Sequence, residues 1–461
     1  MAGWEPLSKL VHHEIQLATE DGRDLGNPQT WQDKLCNAGE DEDALNQLMD
    51  QLLALPERND DPFDEPSELD AIKRLRPAGI SLPPCTLSDE HLYDRLYGAW
   101  LGRCCGCALG KPVEPFMGKH NGLSSRQRIK QYLTAIDPSE YPISDYIPQY
   151  SPAQEQTGKT NCKPSTREHI AYMESDDDIR YTVLGQLVLR DKGLTFTSWD
   201  IVEAWWKHLP YRFVCTAETQ AYRNMVIRYG FDTHKHPQQV DWQWIATHHN
   251  PYRQWIGADI RVDSWAYACP GNPQLAAELA WRDARISHVK NGIYGAMFMA
   301  AMIASAFVCD DPLTIIQSGL AQIPASSRLY LQMQQVIEIC TKHDCDPNAY
   351  ESVFDEIEKL LGHYHPVHTN NNAGIVVGAL LLGKHDFQTV ISLAVMGGWD
   401  TDCNAATAGS ILGAMHGAVY LPEKWTHKLN DKLLSEVVGY HPIAISECAQ
   451  RSLEIVQADR C

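Results

Sequence analysis

Along most of the chain, apolar residues recur at the three-to-four-residue spacing of a helix buried on one side. The two-residue alternation of half-buried strands is scarce. The spacing predicts helices over 177–189, 273–286, 292–307, 329–340, 373–382 and 404–419. Together they predict an all-α domain over residues 91–449. Ahead of it, residues 1–90 read as a helical extension, with an amphipathic helix over 43–55 and an acidic, proline-bearing linker over 56–66. Residues 450–461 read as a short tail.

Gly98, Gly102, Gly106 and Gly110 fall every four residues and so form one smooth ridge along a helix. Such a ridge lets a second helix backbone approach closely. The small residues between 405 and 418 mark that second helix, so the two are expected to meet at the crowded centre. Gly110 and Pro112 end the first helix, leaving Glu114 in the turn that follows. The polar stretch 116–167 is too long for a simple connection; it reads as a loop system covering a substrate or as a mobile insertion.

Composition narrows the function. The chain has 461 residues, 44% of them hydrophobic and 21% charged, enough to bury a large core. Its formal net charge of -20 repels phosphate backbones and argues against general nucleic-acid binding. A small anionic ligand stays compatible if metal ions supply local positive charge. The start, MAGWEPLSKLVHHEIQ, lacks the apolar core of an export signal. The apolar run 292–308 is rich in Ala, Met and Gly, is followed by Asp310 and Asp311, and reads as a core helix rather than a membrane span. A cytoplasmic protein with reduced thiols is expected, because 14 cysteines are too dilute for a disulfide scaffold. Cys104, Cys105 and Cys107 lie in an apolar helical pattern with no second CxxC, so they read as small core residues rather than zinc ligands.

Two acidic helix starts carry the chemistry. In Glu174-Ser175-Asp176-Asp177-Asp178, Ser175 suits an N-cap and acids suit the first turn of a helix. Three consecutive aspartates exceed what capping needs, so the motif reads equally as a cap or as a metal site. The second start is Gly397-Gly398-Trp399-Asp400-Thr401-Asp402-Cys403-Asn404. Its Asp-x-Asp-x-Asn resembles the opening of an EF-hand loop, but Ala405 and Ile411 stand where Gly and Glu are required, which rejects that reading. Hard carboxylate oxygens at both starts suit Mg²⁺ or Mn²⁺. Glu114 alone would be a solvated surface acid. His363, His365 and His368 read as loop histidines, with Asn370, Asn371 and Asn372 available to line a cleft. Trp205, Trp206, Trp242 and Trp244 read as core or loop anchors.

Three segments resemble signature blocks of the ADP-ribosylglycohydrolase family: DRLYGAWLGRCCGCALGKPVE (94–114), ESDDDIRYTVL (174–184) and GGWDTDCNAATAGSILGA (397–414). Their order and spacing match, over roughly residues 90 to 445. The family includes hydrolases of ADP-ribosyl-arginine and ADP-ribosyl-serine, and also a lens crystallin. The resemblance implies a compact all-α domain with a cleft holding two Mg²⁺ ions (Mn²⁺ as an alternative). It implies Ser175, Asp176, Asp177, Asp400, Asp402 and Cys403 as metal ligands. Glu114, Asp177 and Asp400 are the implied catalytic residues. Ser175 replaces a threonine and keeps the hydroxyl; Cys403 replaces another and exchanges a hard oxygen for a soft sulfur. Gly257, Ala258 and Arg261 resemble a loop that lines the ADP-ribose pocket, and His288 resembles a histidine near the same ligand. From the residues alone, Arg261 fits a phosphate partner and a buried ion pair equally.

The resemblance implies a metal-dependent glycohydrolase that cleaves the ribosyl C1″ bond of an ADP-ribosylated protein or a small ADP-ribosyl or ribosyl compound. Two alternatives remain open: a dimetal hydrolase of a small nucleoside or nucleotide sugar, and a non-catalytic ADP-ribose-binding or structural relative.

Overall fold

A computed structural model of the chain describes residues 5–58, 60–230 and 240–460. Residues 1–4 of the N-terminal reading lie outside them. The described residues form α-helices and short 3₁₀ turns, with isolated bridges in place of a sheet. The strongly periodic segments all fold as helices, at Asp177–Lys192, Pro273–Ala284, Asn291–Ala306, Arg328–Lys342, Thr369–Gly383 and Thr401–His416. The last of these stops three residues short of the expected end, because Gly417 takes a positive φ of 86° that terminates it.

The centre is the antiparallel pair Asp89–Gly110 and Thr401–His416. A Cβ on Gly98 would stand 2.6 Å from the Gly413 carbonyl oxygen, and one on Gly102, Gly106 or Gly110 would collide with the backbone of Gly409, Ala405 or Thr401. The glycine ridge thus brings two backbones into contact. One consequence is functional: the C-terminal end of the first helix and the N-terminal end of the second meet. The Thr401 hydroxyl donates to the Gly110 carbonyl at 2.9 Å across that junction. Asn291–Ala306 is buried along its whole length, as a core helix. Among the described residues, no helix is long and apolar enough to cross a membrane.

The N-terminal region is bound into the domain. It forms helices at Leu7–Glu20, Pro28–Ala38 and Glu42–Leu53 around a second apolar cluster that includes Tyr252 and Trp255 of the main domain. A bidentate ion pair at 2.6 Å joins Glu14 to Arg253, both fully buried. Asp21 accepts from Lys290 at 3.0 Å, and Asp61 and Glu65 both pair with Arg328. Residues 450–460, a tail on the sequence reading, are instead the outer turns of the Ile445–Arg460 helix, with Leu453 and Val456 buried. The stretch 116–167 is folded around Ser125–Thr134, with Tyr132 and Tyr146 fully buried. Its end crosses the Lys111–Phe116 turn, where the Asn161 N–H donates to the Pro112 carbonyl.

Candidate functional site

Three segments converge where the glycine-lined helices meet. The 3₁₀ turn Lys111–Phe116 supplies Glu114, the start of Asp177–Lys192 supplies Asp176 to Asp178, and the start of Thr401–His416 supplies Asp400 and Asp402. Ligand atoms of Glu114, Asp400 and Asp402 all lie within 4.8 Å of one another, and so do those of Cys107, Asp176, Asp178 and Asp402. Asp402 belongs to both groups and joins them.

Local structure fixes each acid. The residue capping the 177–192 helix is Asp176, whose carboxylate accepts from the Asp178 N–H at 3.0 Å; Ser175, the cap suggested by sequence, turns its hydroxyl to accept from Arg180 instead. Before Asp400 the backbone is forced through a tight turn, with positive φ at Gly398 and at Trp399, where a side chain makes that conformation costly. The turn is held from outside, since Ser125 Oγ accepts the Trp399 N–H at 3.0 Å. Asn372 Oδ1 accepts both the Asp400 N–H at 3.1 Å and the Asn404 amide at 2.9 Å. Asn372 is therefore a positioning residue for Asp400.

Electrostatics describe a site with too few cations. The carboxylates Glu114, Asp176, Asp177, Asp178, Asp400 and Asp402 crowd together. Lys111 pairs with Asp176 at 2.6 Å, while Arg103 divides itself between Asp263 at 2.7 Å and Asp178 at 3.6 Å. Burial opposes ionisation of Asp176, but the Lys111 ammonium outweighs it and holds that acid below the usual carboxylate range. The others are driven upward. Asp402 is pushed up to about 7 by burial and by Asp176. Glu114 is raised well above its ordinary value by Asp402 and by burial, and Asp400 by burial, Asp402 and Glu114. Asp178 rises through burial with Asp176 and Asp402, and Asp177 through burial and Asp176. Asp178 Oδ1 and Asp402 Oδ1 are buried without a hydrogen-bond partner. Orphaned buried carboxylate oxygens in excess of nearby cations fit a divalent-cation centre.

The remaining site candidates are distributed around this centre. Cys403 is buried, and burial, then the charges of Asp178 and Asp400, raise its thiol; its sulfur is in neither group of converging ligand atoms. Arg261 and His288 sit in a buried polar cluster. Arg261 donates to Asp283 at 2.8 Å, to Glu218, and to Ser287 Oγ at 3.0 Å. Its guanidinium is thus engaged in an internal ion pair. Gly257 is packed so closely on Glu218 that a Cβ would strike the carboxylate, and Ala258 is fully buried beside it. His288 Nδ1 shares a 2.8 Å hydrogen bond with Ser287 Oγ, and its Nε2 has no partner. His365 stacks on Trp255 at 4.0 Å, and His368 caps the Thr369–Gly383 helix.

Asp178 joins the converging atoms without having been singled out as a ligand, and Cys107 joins them although its sequence pattern reads as that of a small core residue rather than a zinc ligand. Asp178 was legible as the third aspartate of the run. Cys107 was not, because its sulfur reaches the acids only through the close approach of two helices far apart in sequence.

The sequence pattern of the ADP-ribosylglycohydrolase family matches residues 88–453. The chain belongs to that family. A comparison with curated proteins finds no match. Among solved structures, one named as an "ADP-ribosylglycohydrolase-related protein complex" is similar over 80% of this chain and 99% of its own, at 19% identity and a TM-score of 0.47. Membership supports a glycohydrolase of this family, and all three acidic segments lie inside the matched residues.

Proposed function

We propose that the protein is a divalent-cation-dependent glycohydrolase that cleaves the C1″ bond of an ADP-ribosyl adduct. The observation that carries the reading is the convergence of Glu114, Asp400 and Asp402 on one point, within 4.8 Å. Asp176, Asp177, Asp400 and Asp402 would hold two cations, Mg²⁺ or Mn²⁺, with the Ser175 hydroxyl beside them. When bound, such ions supply a grip on ribose hydroxyls and a water of lowered pKa.

This chain's own residues do the rest. Breaking a ribosyl C1″ bond develops positive charge on the sugar, and the ring of carboxylates stabilises it. Glu114 is half-buried at the edge of the group, and its carboxyl is held toward neutrality by Asp402. In that form Glu114 would first give its proton to the departing group, and the carboxylate so formed would then take one from the attacking water. Asp177 and Asp400 would assist it, Asp400 fixed by Asn372. The folded 116–167 stretch is tied to the Lys111–Phe116 turn by the Asn161 N–H donating to the Pro112 carbonyl.

The test is a product assay on ADP-ribosylated arginine, ADP-ribosylated serine and free ribosides, followed by mass spectrometry. Release of ADP-ribose from an adduct in Mg²⁺ or Mn²⁺, but not in chelator, supports the reading. Turnover of free ribosides alone moves the substrate class to small nucleosides. Binding of ADP-ribose without hydrolysis of any substrate indicates a non-catalytic relative.

A further inference from the structure

Cys107 has an environment unlike that of a core thiol. It lies on the Asp89–Gly110 helix between Gly106 and Gly110, and it is fully buried. Its sulfur does not face an apolar neighbour alone. It stands within 4.8 Å of ligand atoms from Asp176, Asp178 and Asp402. The placement follows from the glycine ridge: Gly106 lets Ala405 approach so closely that Asp402, three residues earlier, is drawn against the first helix.

Two further facts point to a ligand there. Asp402 is 3% exposed and Asp178 4% exposed, yet the Oδ1 atom of each has no hydrogen-bond donor. The nearest cations give neither of them a hydrogen bond. Lys111 Nζ is spent on Asp176 Oδ2 and on the Ser175 carbonyl, both at 2.6 Å. Arg103 gives its hydrogen bonds to the carbonyls of Asp178 and Ile260 and stays 3.6 Å from Asp178 Oδ1. Buried oxygens of this kind are costly unless something pairs with them.

We propose that Cys107, Asp178 and Asp402, with Asp176, form a thiolate-bearing cation position next to the oxygen-only position at Glu114, Asp400 and Asp402. The inference rests on the glycohydrolase reading for Asp402, which the two positions share, and adds Cys107 and Asp178 as ligands. A set of carboxylates with one sulfur suits Zn²⁺ or Co²⁺ better than Mg²⁺, because a thiolate is a soft donor. As the cation binds, the Cys107 thiol releases its proton to solvent and the sulfur lone pair forms the metal bond. The neighbouring position, without sulfur, keeps its preference for a hard ion. The pair is then chemically asymmetric.

Cobalt titration of the full-length protein, stripped of metal, is the test. Wild type should develop a near-ultraviolet sulfur-to-cobalt charge-transfer band that saturates at one equivalent per chain. Cys107→Ser should lose the band and weaken that equivalent by at least the roughly 10–100-fold that loss of an outer-shell partner costs, whereas Cys403→Ser should retain it. A band that survives Cys107→Ser, or is absent from wild type, overturns the proposal. Zinc-edge X-ray absorption on wild type gives the same answer without a variant. One sulfur at about 2.3 Å supports the site, and a shell of oxygen and nitrogen alone refutes it. Cobalt bound through oxygens only, and lost in Asp400→Ala, removes the thiolate position while leaving the glycohydrolase reading standing. Failure to bind any divalent cation removes both.

Discussion

Replacing Gly106 by alanine probes the joint on which the site is built. A Cβ there would collide with the Ala405 carbonyl and stand 2.8 Å from the Ala406 nitrogen, where ordinary contact begins at 3.4 Å. The helices must therefore part by more than 0.6 Å (3.4 − 2.8), and both obstructing groups are backbone that cannot rotate away. Overpacking of this kind costs about 3 kcal/mol at the upper end of its usual range, and the better helix propensity of alanine returns about 1 kcal/mol. The net loss is about 2 kcal/mol, a drop of roughly 0.5–1 M in the urea midpoint. Because Glu114 follows one helix and Asp400 and Asp402 begin the other, the same separation should weaken Mn²⁺ binding measured by calorimetry. Gly79→Ala, where a Cβ meets nothing within 4 Å, is the control. If Gly106→Ala matched that control in both urea midpoint and Mn²⁺ affinity, the two backbones would not be in contact and the reasoning would fail.

Other outcomes follow from the same structure. Glu14→Ala leaves Arg253 charged and buried, and should destabilise the protein by about 3–5 kcal/mol in urea unfolding; a loss under 1 kcal/mol would mean that the N-terminal helices are not docked as described. In chelator, stability should fall as pH rises. Asp402 is raised to about 7, and Glu114, Asp178 and Asp400 are raised as well, so the native state holds protons that the unfolded state, titrating near about 4, has released. That contribution is complete below about pH 4 and is lost as pH climbs through about 7; a urea midpoint that rose over this window would contradict it. Added Mg²⁺ or Mn²⁺ at one hundred times its Kd should return about 2.7 kcal/mol at the alkaline end, measured as a recovered midpoint. Asp400→Ala and Asp177→Ala should each reduce turnover to the level of chelated wild type while circular dichroism stays unchanged. Retained activity in either would remove that carboxylate from the mechanism.

Legibility from sequence followed the range of the interactions. Segments with sustained helical period, such as 177–192 and 369–383, fold as helices because their own pattern decides it. The glycine ridge was readable for the same reason: a four-residue repeat of missing side chains has few uses other than close packing of a second backbone. The N-terminal docking was not, since Glu14, Asp21 and Glu65 look like ordinary surface acids until Arg253, Lys290 and Arg328 are brought over them. Residues 450–460 lack a long apolar run, and only the packing of Leu453 and Val456 shows why they are helical. At the site, the acidic helix starts were visible as motifs. The engagement of Arg261 by Glu218 and Asp283, the hold of Asn372 on Asp400, and the turn of Cys107 toward the acids are tertiary facts with no local signature.

The account depends on carboxylates from the 176–178 and 400–402 segments sharing cations. Anomalous diffraction from crystals grown with Mn²⁺ measures this directly. Two peaks between those segments, at least one of them in contact with carboxylates from both, is the expected result. Manganese bound to one segment alone, or elsewhere on the molecule, would contradict the account.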